Sequence, residues 1–438
     1  MIPKGIGEAK SAFMDRAFLR HRDVDMALEP ALSRKAARMP GYVQNEEVMI
    51  HYTVTEACPF NCRGCINALT AGMGRVDRSK YVPNEREEGC SDRDIKGIAQ
   101  LIKQSGKDRA VIVYYGGEPM LRLDKMNRFK ESLGNAFDGS SSIRYMVITS
   151  GHYLERAIRS YPELISDMWL TAVSVDGTKK QHEAMRRGTS LETIRRQVAA
   201  LNRIRKGEVL IWSTLRPGMS LSDCFTSYMV FRERGHAQHF FWHWDEADAE
   251  IPDLAGHLES YTRDLDAIMG VYVDHLAKGD LLSMVHINEL LLYFLTQKRR
   301  GSTACAVEKM ANFDIIGDGR VHACADLPET MDIGDMTESG EVRIRGDAEE
   351  RLANIVAYKG DLGCDECGVE PYCGGRCPVQ VHIGGIERAR QYCFMMREHV
   401  RTVKHYLADI TELLVKQDMG LEDLYRSARY ARFTDVTP

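Results

Sequence analysis

The chain has 438 residues, 44% of them hydrophobic and 28% charged, with a formal net charge of −5. That apolar content supports large cores and excludes general disorder, and at about 100–200 residues per domain the length predicts two to four domains. The acidic balance excludes a nucleic-acid-coating protein. No apolar run reaches the ~18 residues of a membrane span, and the N-terminus lacks a signal core. These features predict a cytoplasmic protein with no nucleic-acid or membrane partner.

Residues 1–46 are polar and mixed in charge, with Phe13, Phe18 and Leu19 predicting short helices interrupted by Pro30 and Pro40. A strand is predicted at Val48–Val54, followed by the loop signal Thr55-Glu56-Ala57-Cys58-Pro59. Ser91 then caps a helix carrying Ile95, Ile98, Leu101 and Ile102 on one face. Further strands are predicted at Val111–Tyr115, Tyr145–Thr149, Leu170–Val175, Val209–Leu215 and Phe240–Trp244. Helices separate them, at Leu121–Leu133 and behind the capping-box pattern Thr189-Ser190-Leu191-Glu192. Alternating strands and helices mean βαβ units around a parallel sheet, and the span is short of the ~250 residues of an eightfold barrel. The expectation is therefore α/β, with a partial (β/α)6 barrel over 47–250, a helical linker over 251–300, a small cysteine-rich domain over 301–395 and a helical tail over 396–438.

Twelve cysteines are the unusual count. Ten lie in groups: Cys58/Cys62/Cys65, Cys305/Cys324, and Cys364/Cys367/Cys373/Cys377 with Cys393. Clustered thiols in a large reduced protein predict metal ligation rather than disulfides. Cys90 and Cys224 stand apart and read as small buried hydrophobes. Cys58-x3-Cys62-x2-Cys65 places three thiolates on one loop. These could cap three corners of an iron–sulfur cube and leave the fourth iron open, or form a zinc site completed by His51 or His152. Gly116-Gly117-Glu118-Pro119, Thr149-Ser150-Gly151 and Ser174-Val175-Asp176-Gly177 follow strands two, three and four. Each is a common turn composition, but all belong at the C-terminal edge of the sheet, where active sites gather.

With these residues together, the chain resembles radical S-adenosylmethionine (radical SAM) enzymes. The C-x3-C-x2-C loop after strand one is similar to the superfamily's cluster motif, making Cys58, Cys62 and Cys65 the catalytic cluster ligands. Gly116-Gly117-Glu118-Pro119 resembles the motif that contacts the SAM amino group. Ser174, Asp176 and Arg186 fall in a stretch resembling S-x-D-G…H-D-x-x-R, where serine and arginine reach the SAM carboxylate. One departure is Gly64, where the family usually has an aromatic residue near the adenine.

The remaining seven cysteines resemble the SPASM extension, which carries two auxiliary 4Fe–4S clusters. A zinc reading leaves two sites one ligand short. The resemblance implies an outer cluster on Cys364, Cys367, Cys373 and Cys393, and an inner one on Cys305, Cys324 and Cys377. Ala311 stands where some members add a thiolate, so Glu308, His322 or Cys90 is a candidate to complete the inner set, unless substrate or water does. The implied cofactors are SAM and three 4Fe–4S clusters, one SAM-binding and two auxiliary, with flavodoxin or ferredoxin as electron donor.

The implied activity is hydrogen abstraction by a 5′-deoxyadenosyl radical from a peptide or protein side chain, giving a thioether or other cross-link, or epimerisation. The alternative is oxidation or rearrangement of a small molecule such as a porphyrin precursor or sugar. Ala325 follows Cys324 where sulfatase-maturases carry an aspartate, which argues against formylglycine formation. The 46 residues before strand one are too few for a leader-binding winged helix, so a separate leader-peptide-binding protein, or direct recognition by the helical region 254–300, is expected to replace it. Trp242-His243-Trp244-Asp245 reads as core packing, with a substrate-facing role as the alternative.

Overall fold

The computed structural model describes residues 24–41, 47–67, 92–136, 142–245, 250–324, 326–327 and 331–434. Six strands alternate with helices: β1 (Val48–Thr55), β2 (Arg109–Gly116), β3 (Ser142–Thr149), β4 (Leu170–Ser174), β5 (Glu208–Leu215) and β6 (His239–Trp244). Between them lie α1 (Asp92–Gln104), α2 (Leu123–Asn135), α3 (Leu154–Ser160), α4 (Leu191–Leu201) and α5 (Leu221–Glu233). The helices form where apolar residues recur at helical spacing. Ile95, Ile98, Leu101 and Ile102 are buried along α1, and Leu191, Ile194, Val198 and Leu201 along α4. Ser190, not Thr189, caps α4, accepting from the Thr193 amide at 3.3 Å.

The six strands lie side by side in chain order, all parallel. Strand alternation divides the core in two. Val48, Ile50, Tyr52 and Val54 pack outward with the helices, while Met49 joins Val111, Val113, Met146, Leu170, Ala172, Leu210 and Phe241 inside the barrel.

The sheet departs from the expected six strands. A seventh, β7 (Asn312–Ile315), comes from the cysteine-rich region and pairs in parallel with β1, placing Asp314 opposite His51. Four residues with an Asn and an Asp carry little strand signal. The uncovered edge of β1 supplies the partner hydrogen bonds that the segment's own pattern does not announce. A boundary at residue 300 therefore cuts through the barrel's own sheet.

The helical linker resolves into α6 (Leu254–Leu276) and α7 (Val285–Thr296), and Met284 bridges Phe240 at the opposite sheet edge. The tail forms α8 (Ile386–His405) and, after a short helix Leu407–Lys416, α9 (Leu421–Ala428). It then turns inward, and Tyr430, Ala431 and Phe433 floor the barrel interior. Glu208 at the start of β5 anchors this floor, accepting from Tyr430 and pairing with His239 at 2.7 Å and Arg429 at 3.2 Å. Pro30 begins the helix Pro30–Ala36 rather than interrupting one, since proline at the first turn lacks only an amide that would go unpaired. The helices expected at Phe13, Phe18 and Leu19, the Ser91 cap and Cys90 lie outside the described residues. Among the described residues no helix is long and apolar enough to cross a membrane.

Candidate functional site

The cysteine loop is held by backbone contacts from two other loops. Gly117 donates to the Thr55 carbonyl at 2.8 Å and Glu118 to the Ala57 carbonyl at 2.9 Å, fixing the chain immediately before Cys58. A Cβ on Gly117 would lie 2.2 Å from the Ala57 carbonyl oxygen, and one on Gly116 2.4 Å from that of Thr55. The motif's two glycines are therefore demanded by close approach of backbones. Further along, Asn61 and Cys62 pair with Arg187 and Arg186 in a two-residue antiparallel ladder, and Arg63 donates to the Met185 carbonyl at 2.8 Å. The loop carrying the thiols is thus tied to the segment carrying Arg186.

Glu118 turns inward, buried, and accepts from Thr149 Oγ1 at 2.7 Å, from Ser150 N and Oγ at 2.8 and 2.5 Å, and from Met120 N at 3.2 Å. Burial pushes its carboxyl up, against these bonds. Its carboxylate staples the β2 loop to the β3 loop. Pro119 is buried and opens a 3-10 turn.

Asp176 is fully buried behind the cleft wall. It binds Arg186 through Nε at 2.8 Å and Nη2 at 3.1 Å, and Arg216 Nη1 at 2.9 Å, while accepting from the Thr214 amide at 2.9 Å. Against the cost of burial, Arg186 and Arg216 hold its carboxyl well below the usual range. Asp176 is accordingly a residue that aims two guanidinium groups, not one that faces the cleft. His182, with no exposed surface, accepts from the Asp176 amide through Nδ1 at 3.0 Å. The ring is therefore neutral with its proton on Nε2, which meets Thr189 Oγ1 at 3.0 Å. Burial drives its pKa down to about 4.

Cys58, Cys62, Cys65, Gly116, Gly117, Glu118, Ser174 and Arg186 border one cleft of roughly 930 Å³ at the C-terminal edge of the sheet. Thr214, Arg216, His243 and Asp245 complete it from β5 and β6. Phe60, Tyr115 and Trp212 are its aromatic walls. Residues 52–224 match the model of the Radical SAM superfamily. The chain carries a radical SAM domain. No curated protein matches the chain. Among solved structures, anSMEcpe with bound AdoMet is 15% identical with a TM-score of 0.65, covering 88% of this chain and 98% of that one. The same protein with bound AdoMet and Cp18Cys peptide gives 16% and 0.61, covering 83% and 98%. Streptococcus suis SuiB bound to the precursor peptide SuiA is a looser match, 14% identical with a TM-score of 0.45 over 80% and 74%. The anSMEcpe likeness establishes a shared fold.

The cleft's donor set suits the groups a radical SAM enzyme uses. Three thiols from one loop fit an iron–sulfur cluster with an open position. Two guanidinium groups share the buried carboxylate of Asp176, and Arg216 Nε, buried, has no hydrogen-bond partner. Guanidinium groups at the cleft wall fit an anionic ligand group. Gly64 adopts a left-handed φ of 59°, and a Cβ there would sit 3.2 Å from Asp245 Oδ2 and 3.4 Å from Arg216 Nε. The loop takes a shape that an aromatic residue at 64 would strain.

A second cavity of roughly 730 Å³ adjoins the first, sharing Ile66, Tyr115, Trp212 and His243 as walls. Cys305, Cys324 and Cys377 line it, beside His51, Asn312, Asp314 and Asp326. His51 Nδ1 lies 3.0 Å from Asp314 Oδ1, both residues buried. Glu308 faces elsewhere, accepting from Thr303 N and Oγ1 at 2.8 and 2.6 Å, and His322 meets Asp318 at 3.2 Å. Neither lines this cavity. Cys364, Cys367, Cys373 and Cys393 gather close together, so that burial and the other three thiolates push the Cys364 thiol up. Burial pushes the Cys393 thiol up to about 12. Among the described residues no three His, Cys, Asp or Glu side chains close on one metal-ion position.

Strand alternation divides the Trp242–Asp245 segment between its two readings. Trp242 and Trp244 are buried against the helices, while His243 and Asp245 line the cleft. Cys224 is buried in the core. The cavity residues His51, Tyr115, Asp314 and Asp326 carried no motif. Arg216 had a weak signal in the Arg216-Pro217-Gly218 turn after β5, at the edge where the motif loops lie.

Proposed function

We propose that this radical SAM enzyme modifies a peptide or protein side chain by hydrogen-atom abstraction. The observation that carries the proposal is the adjoining pair of cavities: the cysteine-loop cleft and the Cys305/Cys324/Cys377 pocket share Tyr115, Trp212 and His243 as walls. A side chain held between them would meet both chemistries. When bound, SAM and its cluster supply a 5′-deoxyadenosyl radical by one-electron cleavage.

In this reading Cys58, Cys62 and Cys65 hold the SAM-binding 4Fe–4S cluster. Gly116-Gly117-Glu118-Pro119 presents its backbone to the SAM amino group. Ser174 and Arg186 receive the carboxylate, with Asp176 fixing the guanidinium plane. Cys305, Cys324 and Cys377 hold an inner auxiliary 4Fe–4S cluster, and Cys364, Cys367, Cys373 and Cys393 an outer one, as in SPASM proteins. His51, held beside Asp314, offers a buried imidazole for a proton released by substrate. The electron donor is a flavodoxin or ferredoxin. Bound peptide in the anSMEcpe structure supports the substrate class.

The test is anaerobic incubation of the reconstituted protein with SAM and dithionite, followed by a peptide library. The expected products are 5′-deoxyadenosine and a peptide two hydrogens lighter, or deuterated at an epimerised carbon in D2O. 5′-Deoxyadenosine with no peptide change, and turnover of a small metabolite instead, would move the substrate to the other class.

A further inference from the structure

The two cysteine groups of the C-terminal region lie in opposite electrostatic surroundings. On the Cys364/Cys367/Cys373/Cys393 side the near charges are cations. Arg397, 2% exposed, points Nη2 at Cys367 Sγ from 3.4 Å. It follows Cys393 by four residues on α8, so thiol and guanidinium share one helix face. Arg376, also 2% exposed, stacks over Trp244 at 5.1 Å and Tyr392 at 6.0 Å, and its charge acts on Cys393 together with that of Arg397. The carboxylates of this segment, Asp365 and Glu366, are exposed, where water screens them.

On the Cys305/Cys324/Cys377 side the near charges are anions. Asp314 and Asp326 line the same cavity as the three thiols, and both act on Cys324. Asp314 is shared with His51. Glu308, bonded to the Thr303 that adjoins Cys305, and Lys359, whose charge acts on Cys364, are paired at 3.4 Å and largely cancel. Buried Tyr358 lies near thiols of both groups, and its hydroxyl donates to the Arg376 carbonyl.

Buried cations stabilise the extra negative charge of a reduced cluster, and buried anions oppose it. Resting on the two-auxiliary-cluster reading above, we propose that Arg397 and Arg376 make the outer cluster easier to reduce than the inner one, whose neighbours Asp314 and Asp326 hold its potential down. An electron taken from substrate at the inner group would then move outward. In balance, the substrate would lose a hydrogen atom to the 5′-deoxyadenosyl radical, a proton to a base such as His51, and one electron to an oxidised cluster held by Cys305, Cys324 and Cys377. That electron would pass on to a cluster held by Cys364, Cys367, Cys373 and Cys393.

The experiment is an EPR-monitored redox titration of the full-length reconstituted protein carrying Cys58→Ala, Cys62→Ala and Cys65→Ala, so that only auxiliary signals remain. Two reduction waves are expected. Arg397→Gln should shift the higher wave to more negative potential and leave the lower in place. Asp326→Asn should shift the lower wave positive and leave the higher in place. Arg397→Lys, which keeps the charge, should stay near the parent, and it decides the matter if the glutamine variant loses iron. Waves that do not move, or that move in the opposite assignment, overturn the inference. A parent with about four irons rather than about eight overturns the two-cluster reading itself, and the inference with it.

Discussion

The thiols at the barrel edge and those of the C-terminal region are positioned by different means. Cys58, Cys62 and Cys65 sit on a loop laced by backbone hydrogen bonds to the Gly116-Gly117 turn and to the Arg186 segment. The C-terminal thiols instead sit on turns and on α8, partly buried by the continuous hydrophobic core and by Tyr358, Arg376 and Arg397. The first arrangement leaves three thiols facing an open cleft, while the second encloses four of them away from it. A site that must admit a ligand gets its precision from neighbouring loops, and one that need only hold charge gets it from packing.

The sharpest separation of the two regions comes from their cysteines. Replacing Cys58, Cys62 and Cys65 by Ala should abolish 5′-deoxyadenosine formation and remove about a third of the iron. Replacing Cys364 and Cys367 should remove a comparable share of iron yet leave SAM cleavage measurable in the absence of substrate. Equal loss of cleavage in both variants would erase the distinction.

Next in size, Gly117→Ala should cut SAM cleavage at least about tenfold, because a 2.2 Å contact with the Ala57 carbonyl forces the cysteine loop to move. Iron bound by the C-terminal thiols should be unaffected, as read from the EPR of the auxiliary signals.

The cleft's supporting histidine gives a pH signature. His182 has a folded pKa of about 4 against an ordinary 6.5, so the unfolded chain binds the extra proton between those values. Its contribution to stability is complete above pH 6.5 and is lost as pH falls toward 4, by about 3 kcal/mol. Denaturant titrations across that range should show a shallower slope in His182→Asn, which keeps an acceptor for the Asp176 amide.

Last comes the loss of single ligand contacts. Arg186→Ala should weaken SAM binding by about 1.5–3 kcal/mol and Ser174→Ala by about 1 kcal/mol, measured by equilibrium dialysis with iron content unchanged. Unaltered affinity in both would place the SAM carboxylate elsewhere in the cleft.

The parallel strands, their order and the motif loops were legible because β-branched runs ending in Gly-Gly or Asp-Gly turns announce themselves locally. β7 was not, since Asn312-Phe313-Asp314-Ile315 becomes a strand only against the edge of β1. The same limit hid half of the site. Asp176 lies in a legible motif, yet only the fold shows it turned away from the cleft to hold Arg186 and Arg216. His51 and Asp314 meet across strands 263 positions apart in the chain, a pairing no local pattern encodes.

The floor of the barrel has a consequence for the order of assembly. Tyr430 reaches Glu208 across 222 residues, and the interior faces of β1 to β6 stay uncovered from below until it arrives. At synthesis rates of about 5–20 residues per second, a nascent chain would wait roughly 20–80 seconds between the emergence of β1 and that of its floor. Throughout that interval an apolar tube stands open at its base, and until β7 emerges β1 offers an unpaired edge to any other strand. Cofactor loading before the floor docks would act on a half-built barrel. The vulnerable species of this protein is therefore the chain still being made.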